Sequence, residues 1–554
     1  MTVLILALIL QNNAPAWWID GTPMVPGIME IDRRHDPSFA PTGPLHTGKG
    51  HNVGDTINFW SIDHSTAFPM FYLTSATCRY VGESSYIFVE DTQWSSFNYG
   101  QAAVDEFSAA LEDSTPSGPG GIIEKDIAVF GQPPDAIDGD PKIYFLVLDI
   151  RDGFIDSLGG AYIAGFFSPY NQFTETEAYL YYGGHSNEVE MLYIDCHPSN
   201  QSDAAYTASH ELVHLIQWGI KPFSSEELWV IENQAQSGTF VCGYPAFQIE
   251  TFLEVGGITP IKWTKLDDII EYVAGYGAGF LYFAYLYENY GGEDFLYESL
   301  RSSDRGIAGI SEAILDVTGS NPDMNQILLD WMLACWIDDP EFGNGKYGWQ
   351  SFRIADYDTL SPGNRSGLDY TFEIDTDPFS CIGDHMSSYQ GRYYRVDDAL
   401  RGSFRAAASG LGDLQTFVFD DTSGSLEEVS TGSANDVAIS LPVEGDILLL
   451  CSSFSGLDLD VSTGSVVSSS DTFAFYPQPC RGTLFFQFWS GGGDAELSVY
   501  SLSGSYIETV YYNGAGSGET TLAFAGASDL ASGTYFFRFS QGGRVETGSF
   551  AVVR

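Results

Sequence analysis

The fold of the first half of the chain is decided by Ser209-His-Glu-Leu-Val-His-Leu-Ile-Gln-Trp-Gly219. On an α-helix each residue advances by about 100°, so His210 and His214 lie about 40° apart on one face and both imidazoles can reach one ion. Glu211 stands one residue further round, where it can touch a water on that ion without having to bind the ion itself. Two imidazoles and a neighbouring carboxylate are donors typical of a zinc site.

The residues around this motif predict a buried helix. Those between and after the histidines are apolar, namely Leu212, Val213, Leu215 and Ile216. A helix with so little polar surface is buried, and buried histidines need partners. The alternative is a surface helix with two solvated histidines, which this composition disfavours. Ser202 or Asp203 can cap the start of the helix, and Gly219 with Pro222 beyond it can end it.

A second helix is predicted to supply the third ligand. Ser224 and Glu227 form the pattern of a capping box, and Glu226 and Glu227 suit the first turn of a helix because its dipole favours acids there. Glu232 is different, because it lies mid-helix among apolar neighbours, 18 residues after His214. A carboxylate in such surroundings needs a counter-charge, which a metal ion supplies. The alternative is a half-exposed helical glutamate.

H-E-x-x-H followed by a W-x-x-E helix resembles the gluzincin metallopeptidases, and the arrangement is similar to the hyicolysin-type neutral metalloproteinases. The resemblance covers roughly residues 70–375, with supporting stretches at 140–153, 162–167 and 329–339. It implies a secreted zinc endopeptidase that acts on proteins or peptides, with zinc on His210, His214 and Glu232 and with Glu211 as general base. The strand at 162–167 is expected to pair with an extended substrate backbone, as a sheet edge can.

The chain departs from that family just after the third ligand. Such enzymes often carry a glycine next to this ligand and an acid four residues beyond it, whereas this chain has Asn233 and Gln236. The acid normally orients a zinc-bound histidine. Gln236 is expected to accept a hydrogen bond more weakly, which predicts reduced activity.

The run from Tyr276 to Gly292 is similar to the Y-x-x-G helix of gluzincin aminopeptidases, in which the tyrosine donates a hydrogen bond to the oxyanion. The alternative for Tyr276 is core packing, because tyrosine is abundant in this chain. An aminopeptidase is one alternative function, although the sequence has no G-x-M-x-N exopeptidase motif upstream of the zinc helix. Another is a weak or inactive protease fold that serves as a surface adhesin or binding protein, which the intact Glu211 disfavours.

Composition narrows the possible partners. The 554 residues include 74 Asp+Glu against 23 Lys+Arg, a net charge of -51, which disfavours polyanions such as nucleic acid or an anionic membrane. A hydrophobic content of 44% excludes wholesale disorder. The seven cysteines are scattered without a CxxC pair, so a thiolate zinc site is not expected, and the odd number leaves at least one thiol unpaired within the chain.

Calcium is a second candidate ion. Asp138-Gly-Asp140 and Asp149-Ile-Arg-Asp152-Gly153 place acids at turns, where carboxylates can bind Ca²⁺. A complete EF-hand loop is missing from the sequence, and acids that merely form turns are the alternative explanation.

The sequence predicts a multidomain protein, in which an α+β zincin-like metallopeptidase domain with a mixed sheet and a helical subdomain precedes two β-sandwich modules. An apolar stretch at 3–10 and Ala14-Pro15-Ala16 resemble a signal peptide over residues 1–16, although its basic start is missing. No later stretch is expected to be long and apolar enough to span a membrane, so no stable span is predicted. The predicted domains are an extended lead-in or pro-segment at 17–70, the peptidase domain at 71–378, and β-modules at 379–473 and 474–554.

The last module resembles the C-terminal sorting domain of the Por (type IX) secretion pathway. The resemblance lies in Tyr476-Pro-Gln-Pro and in stretches at 495–504, 530–539 and 552–554. It implies outer-membrane secretion machinery as a partner and a secreted, extracellular or cell-surface location. The alternative is an ordinary structural β-module.

Overall fold

The structure of the protein is a computed structural model. It describes residues 16–29, 31, 50–66, 69–95, 98–156, 158, 160–198, 201–255, 258–261, 269–357, 372–374, 379–387, 389–396, 402–410, 414–420, 425–429, 436–441, 446–451, 457–464, 473–476, 480–491, 494–502, 505–512, 517–541 and 544–553. The predicted signal peptide lies almost entirely outside the described residues. The chain divides into two compact units, Met1–Leu368 and Asp369–Arg554, whereas the sequence suggested a boundary after residue 378.

A mixed sheet of seven strands forms the frame of the first unit. Its strands are β1 Ala16–Asp20, β2 Thr56–Asp63, β3 Met70–Val81, β4 Ser85–Glu90, β7 Ile143–Leu148, β8 Gly160–Phe167 and β9 Met191–Asp195, and a separate ribbon pairs β5 Ser114–Thr115 with β6 Gly118–Pro119. The order across the sheet is β1-β8-β9-β7-β4-β3-β2. The pairs β1–β8, β9–β7 and β7–β4 are parallel, and the others are antiparallel.

The helices of the first unit follow or interrupt these strands. They are α1 Gln101–Glu112, α2 Ile122–Phe130, α3 Glu175–Tyr182, α4 Gln201–Ile220, α5 Leu228–Cys242, α6 Gln248–Val255, α7 Ile269–Tyr290, α8 Glu293–Ser299, α9 Gly306–Thr318 and α10 Met324–Ile337. By length and composition α7 is apolar enough to cross a membrane, with a mean hydropathy of 1.2, but 83% of that window is buried inside the protein. This corrects the expectation that no stretch beyond the N-terminus is long and apolar enough.

Burial explains why the central elements form where their patterns predict them. All six residues of β7 are buried, as its nearly continuous apolar sequence requires of a strand covered on both faces. In α4 every residue from 204 to 218 is buried, including both histidines. The helical subdomain expected from the sequence corresponds to α4 through α10.

The start of α5 differs from the prediction. The helix begins at Leu228 with Glu227 as its N-cap, and no capping box forms at Ser224, which lies in a short 3₁₀ turn. Glu226 is instead held by an ion pair with Lys221 at 2.7 Å, and Glu227 accepts a hydrogen bond from Trp229 Nε1 at 2.7 Å. Both acids are therefore fixed by tertiary partners, which the helix-dipole argument did not foresee.

Two glycines let the backbone approach α4 closely. A Cβ on Gly238 of α5 would lie 2.5 Å from the carbonyl oxygen of Ser209, so the two helices touch at this point. A Cβ on Gly165 of β8 would lie 2.7 Å from the carbonyl oxygen of Tyr193 and against the Thr207 side chain. Larger residues at either position would push the sheet or α5 away from the helix that carries the histidines.

The N-terminal stretch contributes to this sheet. Residues 17–70, expected to be an extended lead-in or pro-segment, include β2 and nearly all of β1 over the part that is described. β1 pairs with β8 from Ala16↔Gly160 to Asp20↔Gly165, with a bulge before Asp20. The edge of β8 that was expected to receive a substrate backbone is therefore covered by the chain's own strand.

The second unit consists of β-strands. They are β10 Phe372–Ile374, β11 Ser380–Met386, β12 Gly391–Val396, β13 Gly402–Gly410, β14 Leu414–Asp420, β15 Ser425–Glu428, β16 Asp436–Leu441, β17 Asp446–Cys451, β18 Leu457–Gly464, β19 Phe473–Tyr476, β20 Leu484–Gly491, β21 Ala495–Ser501, β22 Tyr506–Tyr512, β23 Ser517–Phe524, β24 Gly533–Gln541 and β25 Arg544–Val552. Sheets β10-β12-β17-β14-β15 and β11-β18-β13-β16 share one apolar core, and sheets β19-β20-β23 and β22-β21-β24-β25 share another. Two sandwich-like modules result.

Candidate metal centre

The two histidines of the motif face each other on α4. His210 Nε2 and His214 Nε2 lie 3.1 Å apart, and both side chains are fully buried. One helical turn separates them, as the spacing predicts. Because each ring faces the other with its Nε2 atom, both Nε2 atoms can reach one ion.

Glu232 of α5 completes the predicted group. Its Oε2 lies 3.6 Å from His210 Nε2 and its Oε1 lies 3.8 Å from His214 Nε2. The carboxylate is fully buried, and neither oxygen has a hydrogen-bond partner in the described structure. Burial, followed by the charge of Asp20, raises the pKa of Glu232 well above its usual range.

Asp20, at the end of β1, is a fourth donor that sequence reasoning missed. Its Oδ2 lies 3.2 Å from His214 Nε2 and 3.8 Å from His210 Nε2. Burial would raise the pKa of Asp20, but hydrogen bonding to the two histidines outweighs it and holds that pKa below its usual range. No local motif marks this aspartate, because it lies about 190 residues before the histidines.

The donor set fits a metal cation. Donor atoms about 2.0–2.2 Å from a tetrahedral zinc ion are about 3.3–3.6 Å apart, and the four donors here approach one another within 4.8 Å. Asp20 and Glu232 are acids with no Lys or Arg partner among the residues described. Two buried carboxylates that have no basic side chain beside them need a positive charge, so this group can hold an ion of the zinc type.

Gln217 orients His214. The Nδ1 atom of His214 lies 2.8 Å from Gln217 Oε1, and Gln217 Nε2 donates to Ile231 O and to Gln234 Oε1, both at 2.9 Å. An acceptor at Nδ1 keeps the proton there and leaves Nε2 for the metal side. Sequence reasoning missed Gln217, although its position three residues after His214 on the same helix was an available signal.

Gln236 lies against the other histidine. Burial lowers the pKa of His210 to about 4, against hydrogen bonding to Asp20 and to Gln236. The Gln236 oxygen accepts from Tyr206 Oη at 2.7 Å, while its Nε2 and His210 Nδ1 have no hydrogen-bond partner. Turning the amide over satisfies both, because its oxygen then accepts from Nδ1–H. Gln236 thus occupies the place expected for the orienting acid.

Glu211 lies beside Asp20 without joining the donor group. Its Oε2 accepts a hydrogen bond from Thr22 Oγ1 at 2.9 Å, and its Oε1 has no hydrogen-bond partner. Burial, followed by the charge of Asp20, raises the pKa of Glu211 well above its usual range. A carboxyl whose pKa is raised beside a metal centre is suited to carry protons.

Tyr276 of α7 is brought into this cluster. Its hydroxyl accepts from Asp20 N at 3.3 Å and donates to Tyr272 Oη at 3.4 Å, and its ring lies 6.1 Å from that of His210. Burial raises the pKa of Tyr276 well above its usual range, so the phenol stays protonated. The protonated phenol therefore lies beside the donor group, next to Asp20 and His210.

The candidate calcium acids separate into different surroundings. Asp138 groups with Asp135 and Glu190, whose carboxylate oxygens lie within 4.8 Å of one another. Asp140 accepts from Tyr86 Oη at 2.9 Å, and Asp152 accepts from backbone amides. Asp138 is therefore grouped with two acids outside the predicted pattern.

Comparison with known proteins identifies the C-terminal module. Residues 474–553 match the family described as the secretion system C-terminal sorting domain. The last module is a sorting domain. This sorting domain marks proteins secreted through the type IX system to the extracellular space or the cell surface, which confirms the predicted location.

The chain has a distant relative among curated proteins. The chain is 24% identical over 283 residues to the neutral metalloprotease ShpI of Staphylococcus hyicus, covering 47% of this chain and 57% of that protein. The chain thus spans little more than half the length of this relative. The similarity supports a metallopeptidase relationship.

Solved structures share only loose likenesses with the chain. β-Glucuronidases of Ruminococcus gnavus and Lactobacillus rhamnosus match with TM-scores of 0.15 and 0.16 and identities of 7% and 10%. The matches cover 30% and 35% of this chain, and 35% and 38% of those chains. Likenesses of this size carry no argument about function.

Proposed function

We propose that this chain is a secreted zinc-dependent endopeptidase with a zincin-like catalytic domain. The observation that carries the proposal is the convergence of His210, His214 and Glu232 on one buried point, with Glu211 beside it. When bound there, zinc supplies Lewis-acid activation of water and of the substrate carbonyl. The name of the relative, a neutral metalloprotease, agrees with this function.

The chain's own residues divide the remaining chemistry. Glu211 accepts a proton from the attacking water and passes it to the leaving amine as the peptide bond breaks. Tyr276 donates a hydrogen bond to the carbonyl oxygen as negative charge develops on it. Gln217 holds the proton of His214 on Nδ1, so that Nε2 faces the ion.

Exchanging the general base tests this mechanism. Glu211→Gln should retain about one zinc per chain and lose about a hundredfold or more of the activity on casein. Glu124→Gln changes an exposed glutamate on α2 and should leave both unchanged. Zinc is measured by elemental analysis, and a peptide blocked at its N-terminus distinguishes an endopeptidase from an aminopeptidase. A Glu211→Gln chain that digests casein as fast as wild type rejects the mechanism.

One observation favours a second candidate function. With Asp20 the centre has four protein donors, and sites with four protein donors are typical of structural zinc, whereas catalytic sites keep a position open. A chain of this kind would be a non-catalytic surface protein with a protease fold. The two candidates differ in whether Asp20 can leave the centre.

A further inference from the structure

The N-terminal segment is built into the groove beside the metal centre. Trp18 is 1% exposed and its Nε1 donates to Thr207 Oγ1 at 3.0 Å. Its ring packs edge-on against those of Tyr206, His210 and Tyr276, with centroids 5.3–5.4 Å away. An aromatic side chain therefore fills a pocket whose walls belong to the proposed catalytic domain.

The next residues follow β8 closely. Gly21 N donates to Gly165 O at 2.8 Å, and a Cβ on Gly21 would lie 2.5 Å from Ile163 Cγ2. Thr22 Oγ1 accepts from Phe167 N at 2.8 Å while it donates to Glu211. Backbone and side chain of the segment are thus both bound along this strand.

Asp20 and Thr22 engage the two groups that catalysis requires. The Asp20 carboxylate takes one of the four donor positions, and its Oδ1 accepts from Thr22 N at 2.8 Å, which keeps Oδ2 turned to the histidines. The Thr22 hydroxyl holds the proposed base. A side-chain carboxylate, rather than a peptide carbonyl, faces the centre, so the segment is bound in a form that Glu211 cannot hydrolyse.

We infer that the groove along β8 and α4 binds extended peptides and that residues 16–24 occupy it as an internal inhibitor, with Asp20 in the position of the reacting water. The inference rests on the proposed function. Activity then requires that this segment leave the groove. The pocket of Trp18 becomes available to an aromatic side chain of a substrate when it does.

The test asks whether a coordination position opens. Full-length wild type, Asp20→Ala, Trp18→Ala and the control Asp105→Ala, an exposed aspartate on α1, are loaded with cobalt and titrated with acetohydroxamate, which needs an open position. On addition of acetohydroxamate, the visible spectrum of the cobalt should shift in Asp20→Ala and Trp18→Ala. It should stay unchanged in wild type and in Asp105→Ala. Hydrogen exchange of the β8 amides should accelerate in Trp18→Ala, which keeps every metal donor. Activity on casein should rise by about tenfold or more.

The outcomes separate the inference from the function. Equal hydroxamate binding in all four proteins, unchanged exchange at β8, or loss of the metal from Asp20→Ala overturns the inference. If the variants bind hydroxamate but cleave no peptide, the inference that the segment blocks the metal centre stands and the proposed peptidase activity is rejected. Wild type that cleaves as fast as both variants supports the peptidase and rejects the inhibitor.

A second, independent observation concerns Glu190. This side chain precedes β9, is 2% exposed, and neither of its oxygens has a hydrogen-bond partner in the described structure. Asp138, 4% exposed, and the exposed Asp135 meet it with carboxylate oxygens within 4.8 Å. Burial, then the charge of Asp138, raises the pKa of Glu190 to about 9. The three acids therefore bring their carboxylate oxygens together, and no Lys or Arg partner is found for Glu190 among the residues described.

We propose that Asp135, Asp138 and Glu190 bind a calcium ion. Calcium takes carboxylate oxygens and tolerates irregular geometry, and its charge satisfies the buried Glu190. Asp135 leaves the site open on one side, where water can complete the coordination. The site ties the loop after α2, which carries Asp135 and Asp138, to the residue just before β9, which is Glu190.

Thermal unfolding of the zinc-loaded full chain tests this site. Calcium chloride should raise the Tm of wild type by about 5 °C at saturation and leave that of Glu190→Gln unchanged. Glu83→Gln, an exposed glutamate between β3 and β4, should respond as wild type does. Absence of a calcium response in wild type, a full response in Glu190→Gln, or an equal response to magnesium overturns the proposal.

Discussion

Two buried glutamates near α5 have different surroundings. Glu226 pairs with Lys221 at 2.7 Å and accepts from Gly306 N at 2.7 Å. Glu232 faces His210, His214, Asp20 and the hydroxyl of Tyr276, and it has no Lys or Arg partner among the residues described. Protein groups neutralise the first carboxylate, whereas the second depends on an ion.

Removing each charge should therefore have a different effect. Glu232→Gln should weaken zinc binding by more than about tenfold, because it removes a ligand. Glu226→Gln should bind zinc as wild type does and lose about 2 kcal/mol of the free energy of unfolding. Competition with a chelator measures the first effect, and urea denaturation measures the second. Wild-type zinc affinity in Glu232→Gln would remove this residue from the ligand set.

Gln236 offers a gain-of-function prediction. Gln236→Glu places a carboxylate where the sequence expected an acid, beside His210, and should tighten zinc binding by about tenfold because the charge makes the imidazole a better donor. Gln236→Leu should weaken it. Chelator competition on the two variants checks the direction, and equal affinities would show that Gln236 does not act on His210.

Single residues show where sequence reasoning succeeds. His210 and His214 follow a helical spacing, and Glu232 stands out as an acid in an apolar helix, so local patterns reveal them. Asp20 and Gln217 were missed for different reasons. Asp20 meets the site through the pairing of β1 with β8, which leaves no spacing pattern in the chain, and Gln217 looks like an ordinary polar helix residue.

Among the helices, α10 ends on a buried acid. Asp338 caps its C-terminus in a left-handed conformation with φ 46°, is 4% exposed, and leaves Oδ1 without a hydrogen-bond partner. Burial raises the pKa of Asp338 to about 6. The folded chain therefore favours the neutral carboxyl, and ionisation destabilises it.

The sign of this effect sets a pH-dependent prediction. Between about pH 4 and pH 6 the unfolded chain loses this proton first, so stability falls as pH rises through that window and stays reduced above it. Asp338→Asn stays neutral and tolerates the left-handed conformation, so it should exceed wild type by up to about 3 kcal/mol near pH 8, with the advantage vanishing near pH 4. Urea denaturation at both pH values measures this, with Asp323→Asn at the other end of α10 as the control. An advantage of equal size at both pH values would contradict the assignment.

Elements with strong patterns were predicted closely. The strand β8 and the helix α4 appear where the sequence pattern placed them. β1 and β2 were not recognised, because their Pro- and Gly-rich surroundings hide the pattern and their stability comes from neighbours in the sheet. The start of α5 was misplaced since tertiary partners of Glu226 and Glu227 replaced the expected capping box.

At the scale of the whole molecule, the sorting signal and the proposed catalytic site belong to separate units. The sorting domain at 474–553 belongs to the second unit, and the metal centre belongs to the first. The apolar cores of the two sandwich modules are formed by their own strands. Export can therefore be altered without touching the metal ligands.

Deleting residues 474–554 should leave the first unit folded and the protein trapped in the periplasm, in a host that has the type IX pathway. Fractionation followed by immunoblotting measures the location, and zinc content of the trapped protein reports the fold. Deleting instead an equal length of the preceding module, within 379–473, should leave the sorting signal intact, so the protein should still be exported. Appearance of the 474–554 deletion in the medium would show that another segment directs export.

The pairing of β1 with β8 also affects the tendency of the protein to self-associate. A strand at the margin of a sheet presents unpaired amides and carbonyls that can pair with another copy of the same chain. While β1 stays in place, it pairs with the backbone amides and carbonyls along this edge of β8 during transit through crowded compartments. Once β1 leaves, β8 is open to self-association, and the released form should be shorter-lived in concentrated solution than the form with its strand in place.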